Sequence, residues 1–279
     1  MKRRGNIMKR WIWVAVSLSL IFPVVKFYPL LQRMFAESPP EPTMVTQENI
    51  LNHLQEKAEE KAELNYLVLG DSVARGFGSE KSGSHGYSSL VARGLAEDDI
   101  PLHLINRGVI GQTSKQLTGY IQTRNIRQEI READLISLTI GGNDLLKAAL
   151  QDHDPLRILT DFNRIQSGYK KNLAAILTEI RALNQEAPIL ITSLYNPVLP
   201  DEPFFKVSNR LLKSWNIGMK EVAYSCRLTH VVDVTDRLMA GKGNWLSDEI
   251  HPNDRGYRWM AEGILEEIRA NRSVSASAG

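Results

Sequence analysis

Ser72, in Gly70-Asp71-Ser72, and His251, in Asp248-Glu249-Ile250-His251-Pro252, have the chemistry of a nucleophile and its base. A serine hydroxyl attacks poorly unless a neighbouring base accepts its proton. Among the six histidines His251 is the candidate base. Asp248, three residues upstream in a loop, can fold back on its Nδ1, fixing the tautomer and stabilising the imidazolium. Acyl transfer also needs donors aimed at the developing oxyanion. Asn106-Arg107-Gly108-Val109-Ile110-Gly111-Gln112-Thr113 offers backbone N–H groups beside glycine, and Gly141-Gly142-Asn143-Asp144 offers a side-chain amide. Each block alone favours a plainer reading: a helix N-cap for Ser72, a surface turn or part of a metal site for Asp-x-x-His, and ordinary turns for glycine and asparagine.

The scaffold must therefore gather distant segments. Short β-rich apolar runs at 66–69, 102–105, 135–140, 189–194 and 230–234 alternate with helical stretches. This predicts an α/β fold with a five-stranded parallel sheet covered on both faces. Phe162, Ile165, Tyr169, Leu173, Ile176, Ile180 and Leu183 recur at three- and four-residue steps, predicting one long amphipathic helix. Ligands of such sheets bind beyond the carboxyl ends of the strands. Ser72 is expected exposed on a tight turn after the first strand, Asn106–Gly111 after the second, and Gly141–Asp144 on a flexible turn after the third. Asp248 and His251 are expected after the fifth.

Their joint occurrence in that order decides the reading. The chain resembles the SGNH/GDSL esterase family, its lysophospholipase- and thioesterase-like bacterial members included, through GDS at 70–72, NRGVIG at 106–111, GGND at 141–144 and DEIHP at 248–252. The resemblance spans about residues 64–270. It implies a three-layer α/β/α sandwich, flavodoxin-like, with no metal or organic cofactor. It also implies Ser72 as nucleophile and backbone oxyanion donor, Gly111 and Asn143 as the other donors, His251 as base and Asp248 as its orienter. Asp144 and Asp71 take structural roles. The one departure is Val73, where leucine commonly follows the serine.

The rest of the chain bounds the setting. Lys2, Arg3, Arg4, Lys9, Arg10, Lys26 and Arg33 carry most of the positive excess; without them 27 basic face 32 acidic residues, a net of −5. Nucleic acid is thus excluded as a partner. Residues 1–36, a basic flank followed by an apolar run over 11–31, read as a signal anchor or signal peptide. That places the protein at the outer face of the cell membrane or outside the cell. Residues 37–46, with three prolines, read as a linker, 47–63 as a leading surface helix, and 64–279 as the catalytic domain, expected as a monomer. Lone Cys226 reads as a small buried residue on a helix, and His153 as part of a solvated loop.

Short acyl esters, lysophospholipids, thioesters and acetylated envelope glycans all remain as substrates. Phe204 and Phe205 either line an acyl pocket or pack in the core on a helix begun at Pro203. Two readings from other classes are a non-catalytic module holding a glycan or lipid, and a metal-dependent hydrolase with Asp248 and His251 as ligands.

Overall fold

A computed structural model describes residues 40–43, 49–80, 86–150, 157–240 and 244–270. The N-terminal anchor or signal, most of the linker, and His153 lie outside the described residues. No helix among the described residues is long and apolar enough to cross a membrane.

Five strands, β1 (Leu64–Gly70), β2 (Leu102–Gly108), β3 (Leu135–Thr139), β4 (Ile189–Thr192) and β5 (Thr229–Val232), form one sheet in the order β2-β1-β3-β4-β5. Every neighbouring pair is parallel. Each apolar run predicted as a strand is one. β2 is longer than its apolar run, so Asn106, Arg107 and Gly108 lie within the strand, paired with Val68, Leu69 and Gly70, rather than after it.

The alternation of side chains along each strand divides the core in two. Leu67 and Leu69 of β1, with Ile136 and Leu138 of β3, face α4 (Ser114–Tyr120), α5 (Arg124–Glu132), α7 (Arg157–Leu183) and α8 (Phe205–Ala223). Tyr66, Val68 and Leu135 face the other way, toward α1 (Ile50–Glu60), α3 (Tyr87–Ala96), α9 (Thr235–Met239) and α10 (Asp254–Arg269). The result is the expected three-layer α/β/α sandwich. The predicted stripe on α7 packs inward, with Phe162, Tyr169, Leu173, Ile176 and Ile180 buried. The leading helix α1 is not wholly a surface element, because Ile50 and Leu54 are buried against the second layer.

Cys226 lies beyond the end of α8, half-buried against the core, because the helix stops at Ala223 and its N–H closes the following turn on the Ala223 carbonyl. From β1 the chain moves outward to β2 and then crosses back to β3 on the other side of β1. The crevice at the carboxyl ends of β1 and β3 is therefore where strand order reverses, the place such sheets bind ligands.

Candidate active site

Ser72 is placed by the abrupt exit from β1. Gly70 has φ +126°, and Asp71 caps the short helix α2 (Ser72–Arg75), its carboxylate accepting from the Val73 N–H at 3.0 Å. The same oxygen accepts from the Thr139 hydroxyl at 2.9 Å, tying the turn to β3. Gly76, at φ +83°, ends the helix after one turn. Asp71 thus takes the cap and Ser72 the first helical position. Ser72 is only 6 % exposed, not open on its turn, because the loop before α10 covers it.

That loop brings His251 across. Its Nε2 lies 2.9 Å from Ser72 Oγ, and its Nδ1 lies 2.7 Å from Asp248 Oδ2. Asp248 Oδ1 accepts from the backbone N–H groups of Ile250 (2.9 Å) and His251 (2.7 Å), so one carboxylate shapes the turn and orients the ring. The loop is closed by an antiparallel bridge between Leu246 and Pro252, and the Tyr195 hydroxyl donates to the Ile250 carbonyl at 2.7 Å. The Phe77 ring packs on the imidazole, centroids 4.6 Å apart. Both imidazole nitrogens are engaged by the protein, an arrangement for proton relay rather than metal ligation.

Burial pushes Asp248 up, but the bonds from Ile250 and His251 outweigh it and hold the carboxyl below the usual range. It stays ionised beside the imidazole, as an orienter must. Asp71 behaves oppositely. Burial pushes its carboxyl up to about 6, against the hydrogen bonds from Thr139 and Val73. An unfolded aspartate releases its proton near pH 4, so from there to about pH 6 the folded chain retains a proton the unfolded chain has lost. Stability falls as pH rises through that window. Asp71→Asn should remove about 3 kcal/mol of this fall. Thermal unfolding of both proteins between pH 4 and 7 checks it; parallel curves would refute it.

Asn143 stands in the first turn of α6 (Gly142–Leu150), not on a flexible turn, since helix geometry begins directly after Gly141 (φ +120°). This turn grips the segment after β2. Asn143 Nδ2 donates to the Gln112 carbonyl at 3.1 Å, and Lys147 Nζ to the Gly111 carbonyl at 3.0 Å. Asp144 accepts from the Ser114 N–H at 2.9 Å and its hydroxyl at 2.5 Å. One N–H of the Asn143 amide remains for a substrate. Gly111, at φ +75°, sits in the adjoining turn and does not line the cleft, whereas Ser72, Asn143 and His251 do.

The cleft itself, about 280 Å³, was not apparent from the sequence. Its walls are mainly apolar: Leu145 and Leu146 from α6, Leu211 and Leu212 from α8, with Leu194 and Ile250. Phe204 and Phe205 contribute neither to it nor to the core. α8 begins at Phe205, leaving Phe204 exposed and Phe205 half-buried at the tip, while the residues one to two turns further along face the cleft. A period of three to four from Leu145 and from Leu211 was the available signal.

Residues 68–259 match the model of the GDSL-like Lipase/Acylhydrolase family. The uncharacterized protein YpmR of Bacillus subtilis (strain 168) is 28% identical over 223 residues, 77% of this chain and 86% of that protein. The spore germination lipase LipC of Bacillus licheniformis is 26% identical over 205 residues, 71% of this chain and 93% of its own. Among solved structures, the lipase Lip_vut3 from a goat rumen metagenome matches with a TM-score of 0.64 at 25% identity, over 73% of this chain and 97% of that one. Axe2, an acetylxylan esterase from Geobacillus stearothermophilus, shares the fold with a TM-score of 0.53 at 17% identity, over 76% and 97%. With four blocks at the switch point of a parallel sheet and a family match across most of its length, the chain belongs to the GDSL-like lipase/acylhydrolase family and is an ester-cleaving enzyme.

Proposed function

We propose that this protein hydrolyses carboxylic esters with an extended apolar acyl group, as a lysophospholipase or thioesterase does, through an acyl-enzyme on Ser72. The observation that carries the reading is the continuous relay from Ser72 Oγ through His251 to Asp248, at 2.9 and 2.7 Å. Ser72 attacks the carbonyl as His251 Nε2 takes its proton. The Ser72 N–H and the Asn143 amide, both on the cleft wall, hold the oxyanion, and His251 then protonates the leaving group. Water enters by the same relay in reverse and releases the acid. Asp248 holds the imidazole throughout.

The apolar walls beside Ser72 support a hydrocarbon chain over an acetylated sugar, whose polar ring would lose its water there without partners. The basic and apolar stretch at 1–36 supports delivery of the domain to the outer face of the membrane, as an anchor or a signal.

A panel of p-nitrophenyl esters from acetate to palmitate, with lysophosphatidylcholine and acetylated xylo-oligosaccharide, tests the reading. Each methylene buried in the cleft should raise kcat/KM about fourfold until the cleft is full. A fluorophosphonate probe should label the wild type and not Ser72→Ala. Labelling or undiminished saturable turnover of Ser72→Ala would remove Ser72 as nucleophile, and a preference for the acetylated sugar would instead favour an envelope O-acetylesterase.

A further inference from the structure

Among the described residues only four large hydrophobic side chains are exposed: Phe77 (42 %), Val109 (39 %), Ile110 (59 %) and Phe204 (72 %). Scattered exposed hydrophobics need no explanation, but these are not scattered. Phe77 follows β1 and packs on His251; Val109 and Ile110 follow β2, the Val109 N–H bonded to the Gly70 carbonyl at 2.8 Å. Phe204 precedes α8, which runs back along the sheet to enter β5. Asn216, eleven residues into α8, exchanges hydrogen bonds with Leu194 just beyond β4. The first three turns of α8, a rise of about 16 Å along the helix, therefore lie beyond the carboxyl edge of the sheet, with Phe204 at their tip. All four side chains thus stand on the one edge where the cleft opens.

The chain arrives at that edge too. Glu41 Oε2 lies 2.8 Å from Lys220 Nζ, which also faces Asp233, the residue directly after β5, at 3.7 Å. Only nine residues separate Glu41 from Leu31, the end of the apolar N-terminal run, a reach of about 30 Å when fully extended. An anchored chain would bring its catalytic edge, not its back, within reach of the bilayer.

We propose that Phe204, Ile110, Val109 and Phe77 seat this edge on the surface of the membrane that holds residues 11–31, so that ester lipids pass from the leaflet into the apolar cleft. The proposal rests on the ester-hydrolase and anchor readings above, and deepens them by naming the source of the substrate. Apolar side chains dipping into the headgroup boundary supply the contact, as in other surface-seated proteins.

The full-length chain in phosphatidylcholine vesicles provides the test, with p-nitrophenyl acetate as soluble substrate and p-nitrophenyl palmitate dissolved in the vesicles. Phe204 lies outside the cleft, so Phe204→Ser should leave turnover of the acetate within about twofold and lower that of the palmitate about tenfold. Phe204→Trp should retain the palmitate rate. Brominated phosphatidylcholine should quench its added emission beyond that of the five native tryptophans. Quenching needs no turnover, so it stands or falls apart from the role of Ser72. Equal losses on both substrates, no loss on either, or an unquenched Phe204→Trp signal would overturn the proposal. So would a wild-type dimer that Phe204→Ser dissolves, since the face would then belong to a second copy.

Discussion

Replacing His251 by alanine is expected to lower kcat on a p-nitrophenyl ester by about ten-thousandfold or more, with KM little changed. The size follows from where the ring stands. Its Nε2 is 2.9 Å from Ser72 Oγ, and Ser72 is buried beneath the loop that carries the ring. No other described side chain is hydrogen-bonded to that hydroxyl, so the serine would have to release its proton to water. Asp248→Asn is expected to fall nearly as far by a different route. Oδ1 accepts two backbone N–H groups, so the amide oxygen would be kept there to preserve the turn. The amide nitrogen would then face His251 Nδ1, which is 2.7 Å from Oδ2 in the native protein, and would donate to it. That leaves the ring proton on Nε2, pointing at Ser72, the tautomer that cannot act as base. The double variant should be scarcely worse than His251→Ala, because both residues serve one proton transfer. Multiplying losses, or a single variant within tenfold of wild type, would mean that the relay is not used.

The residues of this relay were legible for a reason that does not extend to the cleft. Parallel strands buried on both faces need uninterrupted apolar runs, and chemistry at their carboxyl ends falls at the point where each run breaks. Ser72 and Asn143 could be read as polar residues following such breaks, and His251 from the Asp-x-x-His block in the loop before the last helix. Where polar residues stay within the ladder, the boundary is hidden: Asn106 and Arg107 pair with β1 although their side chains end the apolar pattern. Asn106 Nδ2 donates to the Ala74 carbonyl at 2.7 Å, a contact with a segment 32 residues away. The cleft was hidden for the opposite reason. Leu145, Leu146, Leu211 and Leu212 are apolar residues on amphipathic helices, and a helix face that lines a cavity has the same period as one that fills a core. The segment after β4, residues 193–198, lines the same cleft, and its path cannot be read from the period of either helix. Phe204 and Phe205 have the composition of a pocket or core pair, yet Phe204 falls one residue before α8 and faces outward. Gly111 is intermediate, since its turn is read from the glycine but its position depends on α6, through Lys147 and Asn143.

The largest expected loss of stability comes from a single methyl group at Gly70. A Cβ there would sit 1.9 Å from the Thr139 carbonyl oxygen, and φ is +126°, where side chains are rarely tolerated. Retreat is blocked on both sides. Gly70 is paired with Gly108 of β2 and Thr139 of β3, the Asp71 N–H donates to that same Thr139 oxygen at 3.0 Å, and the Gly70 carbonyl accepts from Val109. To admit a methyl, β1 and β3 must part at the switch point, breaking ladder bonds between two buried strands. Gly70→Ala is therefore expected to cost about 4 kcal/mol or more, lowering Tm by roughly 10 °C or preventing soluble expression. Gly119→Ala, within α4 and with no atom within 4 Å of the added Cβ, is the matched control and should be neutral or stabilising by up to about 1 kcal/mol. Denaturant unfolding of the two variants separates a local clash from a general intolerance of the extra carbon. Because Ser72 is aimed by the same turn, whatever Gly70→Ala remains folded should lose turnover beyond its loss of folded protein. Wild-type stability with reduced turnover would mean that Gly70 serves only the site, and reduced stability with full specific activity that the turn re-forms around the methyl.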